Sequence, residues 1–134
     1  MISIVSAIVL AASAAAAPAP AAAPAAAPVA AAATGDVVRG EKRFKVICMT
    51  CHTLDPAQKK IGPHLKGVMG RKAGTVEGFS YSPALKTAGW IWDAQRMDPY
   101  LEAPSKVIKG SKMLNVLPNP KDRADIIAYL ATVK

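Results

Sequence analysis

The chain has 134 residues, with 17 basic and 9 acidic side chains, a formal net charge of +8 and only two cysteines. That length holds one domain; two cysteines cannot build a disulfide framework, and no charge-free apolar run of about 18 residues escapes proline, which excludes a disulfide-stapled miniprotein and a multi-span membrane protein. The first 34 residues carry no charge and inflate the apolar content, so every charge falls in the remaining stretch of about 100 residues, whose own apolar side chains give a marginal core that a metal, cofactor or partner would reinforce.

Residues 1–17 form an apolar stretch of signal-peptide length, and small residues offer processing sites at Ala12-Ser13-Ala14 and Ala31-Ala32-Ala33. Export to the periplasm is the expectation. No Lys or Arg precedes the apolar run, so an uncleaved signal-anchor and an upstream translation start are alternative readings. Residues 18–34, with Pro18, Pro20, Pro24 and Pro28 among alanines, read as a semi-rigid linker or the remainder of the leader. Retained, residues 1–34 would tether the domain to a membrane. A plain disordered tail is the simplest alternative, because alanine and proline alone build no core.

Residues 35–134 show short helical segments separated by Gly/Pro loops, with no strand-like alternation, which predicts an all-α domain. The first helix is predicted over Val37 to Met49, with Val37, Gly40, Phe44 and Ile47 on one face and Gly40 allowing another backbone to come close. At its end stands Cys48-Met49-Thr50-Cys51-His52, the pattern for covalent haem attachment. Thiols three residues apart at a helix end face the same way, so each can add to one haem vinyl group while the adjacent imidazole reaches iron. A thioredoxin-like redox pair needs a βαβ context that is not visible, and a structural zinc site needs a second ligand pair, for which only His64 remains. His64 itself reads as a solvated loop residue.

Thr53 to Phe79 contains seven Gly/Pro residues and little periodicity, long for a structureless connection, and such a loop needs something to wrap around. A short helix is introduced by Ser82-Pro83 and stopped at Gly89; another is capped by Asp93 and stopped before Pro104, with Met97, Tyr100 and Leu101 on its buried side. The last helix has Asn119 as N-cap, Pro120 at its first position, Asp122 suited to the helix dipole, and an inner face of Ile126, Tyr129, Leu130 and Val133. A second axial ligand is available in Met113, within Gly110-Ser111-Lys112-Met113 and 61 residues beyond His52. Met97 and Met69 are rivals, the first read as core packing and the second as a loop residue.

In this order the features resemble the class I c-type cytochromes, closest to the mitochondrial cytochrome c-like branch with its bacterial relatives. Gly35-Asp36 leading to Gly40 and Phe44 is similar to the family's N-terminal helix, and Ile126-Ile127-Ala128-Tyr129-Leu130 to its C-terminal helix. Gly62-Pro63, Gly70-Arg71, Gly78-Phe79-Ser80-Tyr81, Gly89-Trp90-Ile91-Trp92 and Tyr100-Leu101-Glu102-Ala103-Pro104 continue the match. The resemblance implies a cytochrome c fold of short helices and loops wrapped around one covalently bound haem c, with Cys48 and Cys51 as attachment points and His52 and Met113 as axial ligands. It further implies that the Pro63 carbonyl accepts from His52 Nδ1, that Arg71, Tyr81 and Trp92 serve the haem propionates, and that Tyr100 and Ser111 make the polar contact near the Met113 sulfur. Trp90 and Trp92 are read as unable both to point inward on an extended segment, so Trp92 is assigned to the pocket and Trp90 left partly exposed. The chain departs from the family at Asn115, where the mitochondrial type commonly has phenylalanine, at Lys109 in place of proline, and at Ser105 in place of lysine.

The net charge suits nucleic acid, an anionic membrane or an acidic protein. The basic residues form no block; Lys59, Lys60, Lys86, Lys106, Lys109, Lys112 and Lys121 fall in segments that ring the exposed haem edge in the resembled fold. An acidic redox protein is therefore the expected partner, with no nucleic acid, and the chain is expected to be a monomer. The expected function is a non-enzymatic carrier of one electron between membrane redox complexes, from a quinol-oxidising cytochrome bc-type complex to a terminal oxidase, reaction centre or reductase. The alternative is a haem peroxidase or gas sensor in which Met113 is displaceable, a reading that Asn115 keeps alive.

Overall fold

A computed structural model describes residues 34–134. The leader expectations for residues 1–17 and most of the linker, through residue 33, lie outside the described residues. Five helices follow in order: α1 (Val37–Ile47), α2 (Pro83–Thr87), α3 (Ala94–Glu102), α4 (Pro104–Val107) and α5 (Pro120–Thr132). Among the described residues there is no strand, only an isolated antiparallel bridge between Lys72 and Ile91, and no helix long and apolar enough to cross a membrane.

Local signals start each longer helix. Asp36 accepts from the Arg39 N–H to open α1, Asp93 from the Arg96 N–H to open α3, and Asn119 from the Lys121 and Asp122 N–H groups to open α5. The first helix ends two residues earlier than its sequence pattern suggests, because the Cys51 and His52 N–H groups both fold back onto the Cys48 carbonyl, at 3.1 and 2.8 Å. Helix α4 is absent from the sequence-based expectation. Pro104, read there as a stop, is the first residue of a new turn, a position where its missing N–H costs nothing.

The frame is the crossing of α1 and α5. Phe44 is fully buried and its ring lies 5.3 Å from that of Tyr129. A Cβ at Gly40 would overlap the Asp125 carbonyl, so glycine here is what lets the two backbones touch. Asp125 is fully buried beneath this contact, accepting from the Asp36 N–H at 2.8 Å and from Arg39. Burial alone would raise its pKa, but the Asp36 amide, Arg39 and Lys121 together hold the carboxyl below its usual range. Arg43 and Asp122 close the crossing from outside with two hydrogen bonds at 3.0 and 2.8 Å.

The inner face of α5 is wider than its periodicity suggests. Ile126 and Leu130 are buried as expected, but Tyr129 is half-buried and Val133 lies past the helix end, while Arg123, Asp125, Ile127 and Ala128 are buried as well. The helix packs against α1 on one side and α3 on another, so a single apolar stripe does not describe it. The loop from Thr53 to Phe79 is tied down at intervals: the Leu65 N–H bonds the Thr53 carbonyl at 2.8 Å and the Gly67 N–H the Val133 carbonyl at 3.1 Å.

Gly40→Ala tests the crossing. Helix propensity alone would favour alanine by about 1 kcal/mol, whereas forcing a methyl into a packed contact costs roughly 1–3 kcal/mol. Denaturant unfolding of the variant followed by far-ultraviolet circular dichroism is expected to show a net loss of stability, and a gain would contradict the close contact.

Candidate haem site

The centre of the domain is a cavity of about 430 Å³ with mostly apolar walls. Each residue singled out from the sequence borders it: Cys48, Cys51, His52, Pro63, Arg71, Tyr81, Trp92, Tyr100, Ser111 and Met113. They come from the end of α1, the long loop, the segments on either side of α2, α3 and the segment after α4, so most of the described chain converges on one space.

Cys48 is the C-cap of α1 and Cys51 follows in the next turn; both are half-buried and free. Burial pushes the Cys48 thiol up to about 11, and Cys51 beside it adds to the rise. A redox-active dithiol works through a lowered pKa, so this environment speaks against a thioredoxin-like pair. Among the described residues no group of three or more His, Cys, Asp or Glu side chains could hold a metal ion by itself, which removes the zinc reading.

His52 is turned by its neighbours. Its Nδ1 lies 2.8 Å from the Pro63 carbonyl, an oxygen that only accepts, so Nδ1 carries the proton and Nε2 presents a lone pair. Burial lowers the pKa of the imidazole, and nearby Lys60 pushes the same way against the bond to Pro63, keeping the ring neutral. Gly62 stands directly behind it. A Cβ there would run into the imidazole ring, so the glycine leaves room for His52 to take this orientation.

The far residues are linked in pairs. The Tyr100 hydroxyl lies 2.9 Å from that of Ser111, which also accepts from the Met113 N–H at 3.3 Å. Arg71 donates to the carbonyls of Lys66 and His64, at 3.1 and 2.8 Å, closing the turn that follows Pro63 while bordering the cavity. Burial raises the pKa of Tyr81 and Tyr100, so both phenols stay protonated and able to donate. His64 is half-buried with its Nδ1 enclosed, not the solvated histidine expected.

The two tryptophans stand where they were assigned, Trp92 at the cavity and Trp90 partly exposed, though not because they face opposite ways. On an extended segment residues two apart share a side, and here Ile91 points outward, 52% exposed, while the Trp90 and Trp92 rings pack edge to face at 5.7 Å. Trp92 is buried and borders the cavity; Trp90 lies half-buried behind it, outside the cavity wall. Of the rival methionines, Met69 does not border the cavity. Met97 does, but it is buried on α3 within the core cluster.

A neutral imidazole, a thioether and two thiols around one apolar space suit a covalently attached haem. The cytochrome c family model matches residues 37–134 of this chain. The chain belongs to the cytochrome c family. It is 50% identical over 102 residues to the cytochrome c2 of Rhodomicrobium vannielii, covering 75% of this chain and 81% of that one. With the cytochrome c2 of Rhodopila globiformis it shares 43% identity over 104 residues, 77% of this chain and 98% of the other. The solved structure of cytochrome cH from Methylobacterium extorquens superposes with a TM-score of 0.67 at 42% identity, covering 73% of this chain and 99% of that chain. The domain is thus a class I c-type cytochrome with one covalently bound haem c, an electron carrier and not an enzyme.

Sequence reasoning passed over two residues that shape this cytochrome's site. Gly62 was visible only as half of a Gly-Pro turn, although its place directly before Pro63 was a usable signal. Arg123 donates to the Leu117 and Pro118 carbonyls at the end of the Met113 segment. Its position three and seven residues before Ile126 and Leu130 marks it as sharing their inward face.

Proposed function

We propose that Cys48 and Cys51 hold the haem through thioether bonds, that His52 Nε2 and the Met113 sulfur take the two axial positions, and that the protein shuttles single electrons between membrane redox complexes in the periplasm. The observation that carries this reading is the convergence of a neutral, oriented His52 and the Met113 segment on one cavity. The haem supplies the reversible one-electron chemistry. His52 keeps its orientation through Pro63, and a soft thioether from Met113 favours the ferrous state and raises the reduction potential relative to two nitrogen ligands. Tyr100 and Ser111 stiffen the Met113 segment; Arg71, Tyr81 and Trp92 border the same cavity and would serve the haem propionates. Two ligands supplied by the chain in both valences would leave little to rearrange when the electron moves.

The surface around the cavity supports a protein partner. Ile61 and Leu114 border the cavity and are 83% and 85% exposed, an apolar contact at its mouth. Lys59, Lys60 and Lys112 are exposed beside them in sequence. Charges on such a rim chiefly steer association, so an acidic redox protein is the fitting partner. A quinol-oxidising bc-type complex is the donor class, and a terminal oxidase, reaction centre or reductase the acceptor class. The leader reading places export, with cleavage or tethering, in residues 1–34.

Met113→Ala is expected to keep the covalent haem and lose the far-red iron–sulfur band of the oxidised protein; retention of that band would make Met97 or Met69 the ligand. The bimolecular rate with an acidic redox partner is expected to fall about tenfold or more as ionic strength rises from about 0.01 M to about 0.2 M. Stopped-flow kinetics showing a flat dependence would remove the lysine rim from the docking surface.

A further inference from the structure

The segment carrying Met113 is fastened at both ends and bare in the middle. At its start, the Ser111 hydroxyl pairs with Tyr100 at 2.9 Å and takes the Met113 N–H at 3.3 Å. At its end, the Leu117 N–H donates to the Leu101 carbonyl at 2.8 Å, and Arg123 Nη1 donates to the carbonyls of Leu117 and Pro118 at 2.8 and 2.9 Å. Between these points Leu114 and Val116 are 85% and 52% exposed and Asn115 is exposed too. No protein side chain covers Leu114, Asn115 and Val116, so the strap's hydrogen bonds to the rest of the domain gather at its ends.

Arg123 is unusual for a cation in this domain. Its side chain is 7% exposed, its Nε donates to Asp98 on α3 at 2.8 Å, and its Nη2 lies 3.5 Å from the same carboxylate. A guanidinium taken out of water needs all of its directions satisfied. This one divides its planar fork between a carboxylate on α3 and two carbonyls of the strap, while its backbone belongs to α5. Helix α3 also supplies Tyr100 and Leu101, so one helix references both ends of the Met113 segment. Arg123 does not border the cavity.

We propose that Arg123, oriented by Asp98, is a positioning residue that fixes how firmly Met113 is held on the iron, by pinning the strap four residues beyond the ligand. The proposal rests on Met113 being the axial ligand. A merely structural Arg123 would join α3 to α5 and affect global stability alone, so the decisive readouts are local ones: the far-red band of the ferric protein and the equilibrium binding of imidazole, which must displace the methionine.

Arg123→Lys keeps a cation beside Asp98, but a single ammonium cannot reproduce the fork shared between two carbonyls and a carboxylate. In the haem-loaded full chain it is expected to weaken the far-red band and to raise imidazole affinity about tenfold, the scale of one lost charge-assisted hydrogen bond. Asp98→Asn leaves the guanidinium but loosens its aim, with an expected rise of about threefold. Gly74→Ala, which forces a Cβ against the backbone of α2 and touches neither the strap nor α5, is expected to leave imidazole affinity within about twofold of wild type. Unchanged affinity in both strap variants, or an equal rise in Gly74→Ala, would overturn the proposal while the wild-type band still stood for Met113 ligation. A wild-type protein lacking that band would remove the Met113 reading and this proposal with it. Where Arg123→Lys gives no holoprotein, Asp98→Asn decides, and an unchanged affinity there overturns the positioning role.

Discussion

The interior of this domain is organised around a space that its own side chains do not fill. Helices α1, α2, α3 and α5 and the loop from Thr53 to Phe79 are arranged as walls of one cavity of about 430 Å³. A domain of about 100 residues has few apolar side chains to spare for a core. A covalently bound haem supplies the missing interior, and because it is bonded to the chain it cannot diffuse away from the walls it supports. The loop from Thr53 to Phe79, too long and too irregular to stand alone, is shaped by what it encloses.

Two rigid references surround that centre. The α1–α5 crossing brings together residues about 90 positions apart through Gly40, Phe44 and the buried Asp125, and it places Cys48 and Cys51 at the end of a fixed helix. Helix α3 carries Trp92's neighbour Tyr100 and, through Tyr100 and Leu101, bonds both ends of the Met113 strap; Asp98 and Arg123 join it to α5. The His52 side is thereby tied to α1 and to the Pro63 turn, whereas the Met113 side depends on a strap held at its ends. With Met113 as the proposed ligand, this asymmetry would suit a carrier whose covalent side is permanent and whose methionine side tunes the iron.

Much of the site was legible in the sequence because its chemistry is local. Two thiols and an imidazole must sit within five residues to serve one haem, and helix caps such as Asn119 and Asp93 act on their own first turns. The Pro63, Arg71, Tyr81, Trp92, Tyr100 and Ser111 assignments came through resemblance to a family, since nothing in their spacing alone brings them to one cavity. What escaped was long-range or depended on reading a signal in one direction only. The burial of Asp125 is set by Asp36 and Arg39, 89 and 86 residues away; Arg123 looks like a surface charge until the strap beside it is seen; Pro104 ends one helix and begins another. Trp92 was rightly assigned to the pocket and Trp90 left partly exposed, but the argument for it applied strand periodicity with the wrong parity, since residues two apart share a side.

The account stands on both axial positions of the iron being filled by this chain. The most direct measurement is the visible spectrum of the matured protein, oxidised and reduced, with carbon monoxide added to the reduced form. A far-red band in the oxidised state and no response to carbon monoxide is the predicted result, showing Met113 in place and an iron closed to external ligands. A missing band with ready carbon monoxide binding would contradict it, and the site would then belong to a sensor or a peroxidase.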